Sequence, residues 1–228
     1  MGQAARVTHD HHESRQQLDP SVFHSQDFWD DRYSSAPAVW SGHVNPVLAE
    51  LVGGLVPGAA LDVGAGEGGD AIWLAGRGWR VTAVDLSPVA LERAAERARS
   101  VGAEIADRIR WQQADVLGWD PAPDTFDLVT AQFLHLPYDR LTLVHRRLAA
   151  AVGPGGTFLI VNHHPVDNEA LGRPTMPGMF TLAEDMATDL DPVEWSTIEA
   201  SAPTRSVTGP DGNPFVITDT VLRAVRRS

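Results

Sequence analysis

Three aspartates and one glycine-rich run carry the densest chemical signal in this chain. In Ala60-Leu61-Asp62-Val63-Gly64-Ala65-Gly66-Glu67-Gly68-Gly69 an apolar run passes straight into glycines and then into an amphipathic stretch. That order predicts a buried strand, a tight turn and a helix start. Glycine at 64 and 66 lets a ligand approach the backbone, and the amides of the helix start attract a negative group. Asp85 lies 21 residues beyond Gly64, the separation at which an acid clasps ribose hydroxyls. Asp115 follows 30 residues later, after a third apolar run, where it can accept from an adenine amino group. Asp62, closing the first strand, can meet an ammonium group directly or through water and would repel a pyrophosphate. Amine, ribose and adenine are then each met by one carboxylate.

Histidines supply the groups able to move a proton near neutral pH. His135 follows the fourth expected strand in Gln132-Phe133-Leu134-His135-Leu136-Pro137, and His163-His164 follow the fifth. Both places lie at the carboxyl edge where an open α/β sheet holds its ligands. Each histidine read singly is equally a loop residue satisfied by water or backbone. Asp139 reads more simply as a helix cap.

These groups need a sheet to position them. Short apolar runs alternate with amphipathic stretches, the pattern of a parallel sheet wrapped by crossover helices. Strands are expected at 60–63, 80–84, 109–113, 126–130 and 157–161, with helices near 69–77, 88–100 and 139–152. Leu141, Val144 and Leu148 then face the core. Ser87 before Pro88 caps the second of these helices, and Gly153-Pro154-Gly155-Gly156 marks a stop before the fifth strand. Past the sheet, 181–190 reads as a helix, and 194–202 and 215–225 read as two strands joined by a turn at Gly209-Pro210-Asp211-Gly212. Residues 165–192, with Met176, Pro177, Met179 and Phe180, form an expected apolar wall and lid. Ahead of the sheet, short helices are expected at 26–33 and 45–52, the first bearing Phe28, Trp29, Arg32 and Tyr33 at helical spacing. Residues 1–24, with His9, His11 and His12, read as a flexible arm, and 25–228 as one domain whose residues 25–56 form a helical cap.

Composition removes much other chemistry. The 228 residues contain no cysteine, which excludes thiol nucleophiles and Cys-ligated metals, and no metal site is expected. All 18 basic residues are arginine, so a Schiff-base lysine and a Walker phosphate loop are excluded. A net charge of −12 disfavours nucleic acid and anionic lipid as partners. No apolar run suits a membrane span or a signal peptide, so a cytoplasmic protein is expected, as a monomer or a homodimer.

Residues 60–115, with Phe126-Asp127-Leu128-Val129 and Pro154-Gly155-Gly156-Thr157, resemble the class I S-adenosylmethionine-dependent methyltransferases. The string Phe28-Trp29-Asp30-Asp31-Arg32-Tyr33, followed by Val39-Trp40, is similar to the amino-terminal element of the small-molecule branch that includes thiopurine and tellurite-resistance methyltransferases. The resemblance implies a Rossmann-like, doubly wound sheet of about seven mostly parallel strands, an antiparallel carboxyl-terminal hairpin strand and an amino-terminal helical lid. It implies S-adenosylmethionine as cofactor and a small-molecule methyl acceptor. Asp62, Gly64, Ala65, Gly66 and Glu67 would lie beside the methionine portion, Asp85 on the ribose with Leu86 against the adenine, and Asp115 with Val116 at the adenine edge. Trp29, Tyr33 and Trp40 would cover the cofactor, with Gln132 completing its site, unless these aromatics serve only as packing anchors. His135 and His163 are the catalytic candidates. Ala65 stands where many members have cysteine, and only a small residue is needed there. A nicotinamide-dependent oxidoreductase using the same glycine turn, or a non-catalytic cofactor-binding module, are the alternative readings of these motifs.

Overall fold

Apolar runs become strands wherever both faces can be covered. The computed structural model describes residues 22, 24–168, 179–208 and 213–228. The arm expected at 1–24, apart from residues 22 and 24, lies outside the described residues, as do Met176, Pro177 and the turn read at 209–212. The strands are β1 (Ala59–Val63), β2 (Arg80–Asp85), β3 (Ile109–Gln113), β4 (Phe126–Gln132), β5 (Val152–His163), β6 (Trp195–Ser201), β7 (Thr204–Thr208) and β8 (Pro214–Arg226). They form one sheet in the order β3-β2-β1-β4-β5-β8-β6, with β7 also paired to β8. The first five run parallel, and β8 enters antiparallel between β5 and β6. The order reverses beside β1, so the carboxyl ends of β1 and β4 open a crevice between them.

Layers on both faces explain why the central strands are apolar throughout. Along β1, Leu61 and Val63 project into one core with Leu141, Val144 and Leu148 of α6 (Tyr138–Ala150). Ala60 projects into the other, with Leu48 and Val52 of α2 (Pro46–Val52) and Ala71, Leu74 and Ala75 of α3 (Gly69–Gly76). With a period of two, Asp62 shares the α3 side. Local signals set the helix starts: Asn45 caps α2 by accepting from the Val47 amide, and Ser87 caps α4 (Pro88–Val101) by accepting from Ala90. Each cap contributes about 1 kcal/mol.

The carboxyl-terminal third contains the expected antiparallel pair, β6 with β8, and adds a strand to it. Three strands are present instead of two, because β8 is long enough to pair β5 along one edge while β6 and β7 occupy successive stretches of the other. The expected helix at 181–190 is reduced to α7 (Ala183–Ala187). An additional short helix, α5 (Ala103–Ala106), precedes β3, and β5 begins at Val152 through a register shift opposite β4. The amino-terminal segment starts with α1 (Gln26–Ser34), which packs against α4 and thus stands over the carboxyl end of β2.

Candidate active site

The glycine turn lies at the crevice, and its conformation explains its sequence. Gly64, Gly66 and Gly68 have φ of 75°, 51° and 77°, values in the left-handed region that side chains rarely adopt. Space gives a second constraint at Gly66. A Cβ there would stand 2.9 Å from the Tyr33 hydroxyl, so the turn and the amino-terminal cap meet over this backbone.

A cavity of about 640 Å³ runs from this turn along the carboxyl ends of β1, β2 and β4. That volume falls within the roughly 300–1,000 Å³ typical of small-molecule sites. Of the residues singled out from sequence, Trp29, Tyr33, Trp40, Gly64, Ala65, Gly66, Glu67, Asp85, Leu86, Asp115, Val116, Gln132, His135 and His163 all line it. Asp62 does not. It sits behind the turn, 2% exposed, accepting from the Ala71 amide while its Oδ2 has no hydrogen-bond partner. Asp70, one helical residue past Gly69, takes the position on the wall instead.

Carboxylates dominate this end, and burial governs their protonation. Asp85 accepts from the amides of Gly66 at 2.8 Å and Ser87 at 2.9 Å, which fixes its carboxylate at the cavity edge. Burial raises its pKa against those bonds. Asp70 accepts from the Asn45 amide at 2.7 Å, and burial pushes its pKa up to about 6. Asp62 is held well above the ordinary carboxylate range, first by burial and then by the charges of Asp70 and Asp85. Three carboxyl groups crowded out of water favour a cation beside them. Asp115 is exposed, and its Oδ1 accepts from the Leu117 amide, so it is held at the lip of the cavity.

Glu67 lines the cavity beside the glycine turn and also fastens the loop that follows α1. Its carboxylate accepts from the backbone amides of Val39 and Trp40, both at 3.0 Å, and pairs with Arg93 at 3.3 Å. This ties down the loop between α1 and α2. Arg93 also donates to the Ala36 carbonyl, and Arg97 to that of Gly42. Fastened in this way, Trp40 donates its indole N–H to the Tyr33 hydroxyl at 3.1 Å. Burial and the nearby Asp85 push the Tyr33 phenol far up, so it stays neutral. Tyr33 is buried, Trp29 lies 6.0 Å from its ring, and Trp40 is 48% exposed with the Arg32 guanidinium over its face. Packing anchor and cavity cover are here the same residues.

At the opposite end the chemistry is aromatic and basic. His163 stacks on Phe133 with ring centres 4.2 Å apart, and His135 lies 5.6 Å from His163 and 6.1 Å from Phe180. Phe180 lines the cavity, whereas Met179 is buried in the protein. His164 is turned to local structure, its Nδ1 accepting from the Val166 amide as the cap of a short 3-10 turn. Arg205, from β7, completes this wall. Asp70, Arg93 and Arg205 escaped sequence reading. Asp70 was visible as a second acid beside the glycines, but the other two depend on contacts made across the fold.

The residues fit the cofactor implied by the motif. The glycine turn leaves room where a Cβ would intrude, Asp85 offers oxygens beside Leu86, and Asp62 and Asp70 form an acidic set suited to an ammonium group. Among the described residues, no group of three or more His, Asp or Glu side chains is arranged to hold a metal ion, and no helix is long and apolar enough to cross a membrane.

Comparison with known proteins points the same way. Residues 60–156 match the family model described as a methyltransferase domain. The methyltransferase GfsG of Streptomyces halstedii is 34% identical over 139 residues, covering 59% of this chain and 49% of the relative, so the chain spans about half the length of that protein. A probable thiol methyltransferase of Arabidopsis thaliana is 28% identical over 151 residues, covering 64% of this chain and 65% of the relative. A solved structure from work on conversion of a disulfide bond into a thioacetal group during echinomycin biosynthesis superposes with a TM-score of 0.65 at 27% identity, covering 89% of this chain and 92% of the other.

Proposed function

We propose that this chain, whose residues 60–156 match a methyltransferase domain, transfers a methyl group from S-adenosylmethionine to a small-molecule nucleophile, leaving S-adenosylhomocysteine. The observation that carries the reading is the single cavity joining two chemically different ends, an acidic glycine turn and an aromatic wall with two histidines. When bound, the cofactor supplies a methyl group activated by its sulfonium, which an in-line nucleophile takes up. Everything else is positioning, and holding two reactants in line is itself a large catalytic effect.

Each residue has a share in that positioning. Asp85, already held by two backbone amides, accepts from the ribose hydroxyls with its remaining lone pairs. Asp70, backed by Asp62, faces the ammonium group, and the apolar side chains of Leu86 and Val116 with Asp115 hold the adenine. Trp29, Tyr33 and Trp40 cover this end, Gln132 stands at its inner wall, and Glu67 fastens the cover. His135 and His163 stand at the acceptor end. An oxygen or nitrogen acceptor gives its proton to an imidazole, which passes it to water, while a thiolate or another chalcogen anion needs only orientation. The Asp70 carboxylate beside the glycine turn also disfavours a nicotinamide dinucleotide, whose pyrophosphate would meet like charge.

A thermal-shift comparison of S-adenosylmethionine, S-adenosylhomocysteine, NAD and NADP tests this reading. A ligand at about 100 times its Kd adds roughly 2.7 kcal/mol, which in a chain of this size raises Tm by about 5–10 °C. The expected result is a rise with the two sulfur compounds alone. A rise with NAD or NADP alone refutes the assignment. Cofactor binding without turnover against a panel of thiols, phenols and amines would make the chain a binding module.

A further inference from the structure

The two ends of the cavity differ in charge as well as in shape. Asp70, Asp85 and Glu67 stand at one end, where Arg32 lies over Trp40, whereas the other holds His135, His163 and Arg205 with no carboxylate among the described residues of that wall. A site that receives a neutral acceptor has no need of a guanidinium at that wall. The way Arg205 is held is equally informative. Asp219 of β8 is 0% exposed and accepts from Arg205 Nε at 2.6 Å and Nη2 at 3.3 Å. Asp219 lies opposite His163 in the β5–β8 register, and β7 packs along the other edge of β8. The strand therefore carries one buried acid with the histidine on one flank and the arginine on the other.

A carboxylate seated side-on at Nε and Nη2 uses two of the five N–H donors of a guanidinium and leaves the rest on its other edges. Arg205 is 27% exposed and lines the cavity, so these donors belong to a group whose orientation is already fixed. Burying Asp219 for stability alone is a poor explanation, because an apolar pair of similar volume serves a β-hairpin as well or better. A pre-oriented fork beside flat aromatic walls suits one kind of ligand group, a planar anion.

We propose that Arg205 is an acceptor-binding residue, and that the acceptor is an aromatic compound bearing an anionic oxygen substituent such as a carboxylate. Its ring lies against the Phe133–His163 stack, His135 and Phe180, and its anion meets the outer edge of Arg205. Asp219 is the positioning residue that holds the fork. This rests on the methyltransferase reading above, since it assigns the far end of the same cavity to the acceptor.

The test separates the two. In the full chain with saturating S-adenosylhomocysteine, binding of matched carboxylates and carboxamides is measured by thermal shift and calorimetry: benzoate and benzamide, 2-naphthoate and 2-naphthamide, indole-3-carboxylate and its amide. The carboxylates should bind at least tenfold more tightly than the amides. Arg205→Lys, which keeps the charge but loses the fork, should erase most of that preference. Because Arg205→Met alone leaves Asp219 buried without a partner and can fail to fold, the second variant is Arg205→Gln combined with Asp219→Asn, which should bind S-adenosylhomocysteine normally and show no preference. Equal binding of acids and amides by the unsubstituted chain overturns the proposal, as does a preference retained in the double variant. Failure of S-adenosylhomocysteine to shift the melting point is a separate outcome, and it overturns the methyltransferase reading on which the proposal stands.

Discussion

Cofactor binding should depend on the protonation of Asp70, and the size of the effect follows from its surroundings. Burial pushes this carboxyl up to about 6 although the Asn45 amide bond opposes the shift. Asp62 behind it is also raised, first by burial and then by the charges of Asp70 and Asp85. An ammonium ligand needs the Asp70 charge. With a pKa of about 6, the ionised fraction is about one tenth at pH 5 and nearly complete at pH 7.5, so the Kd for S-adenosylhomocysteine should weaken about tenfold on acidification, or ~1.4 kcal/mol. The sign for the ligand-free protein is opposite. A carboxyl raised in the folded state contributes stability below its unfolded value, and loses it as pH rises through 6. The ligand-induced gain in Tm should therefore widen by roughly 3–6 °C between pH 5 and 7.5. Calorimetric titration at pH 5, 6 and 7.5 measures the first effect and thermal shift the second. Asp70→Asn retains an oxygen for the Asn45 amide and should flatten both profiles at the weak-binding level. A flat profile for the unsubstituted chain, or the same slope in Asp70→Asn, refutes the assignment of Asp70 to the cation.

Two further substitutions probe the cover and the core. Glu67→Ala removes two amide-to-carboxylate hydrogen bonds and the Arg93 pair, and at about 1.5–3 kcal/mol per bond to a charged group the 35–45 loop should undock. Limited proteolysis should then cut that loop and S-adenosylhomocysteine should bind more than about tenfold more weakly; protection and affinity both unchanged would show that Glu67 does not fasten the cover. His145, on α6 against Phe158, is 2% exposed, and burial lowers its pKa to about 4 although Asp189 pulls the other way. The unfolded chain takes up its proton first as pH falls below 6.5, so the neutral folded state should lose about 2 kcal/mol of stability between pH 7.5 and 5. Urea unfolding of His145→Leu should lack that part of the slope, and an identical pH dependence would refute it.

Much of the cofactor end was legible because it is built from neighbours in sequence. One strand, one turn and one helix start bring Gly64, Gly66, Glu67 and Asp70 together within a single supersecondary unit, and a parallel sheet aligns Asp85 with the end of β1 by register. Cap residues such as Ser87 and Asn45 act within one helical turn, so residue type alone gave their positions. The roles of individual acids were less legible. Asp62 was read as facing the ligand, but the strand period turns its side chain under α3, and the depth of that burial comes from packing. The hold of Glu67 on the loop after α1 was not legible, because Val39 and Trp40 reach it only in the folded chain.

The sequence by itself determined the parallel α/β class, the glycine turn, the place of Asp85 at the end of the second strand and the absence of thiol and lysine chemistry, because each of these rests on residue type, period two or 3.6, or short fixed spacing. Only the tertiary structure decided that β8 carries two partners along one edge, that Arg205 pairs with the buried Asp219 opposite His163 in the strand register, and that Arg93 and Arg97 fasten the loop bearing Trp40. Strand pairing over long sequence distances has no local code. It is selected by which exposed edges and buried faces remain once the central sheet has formed.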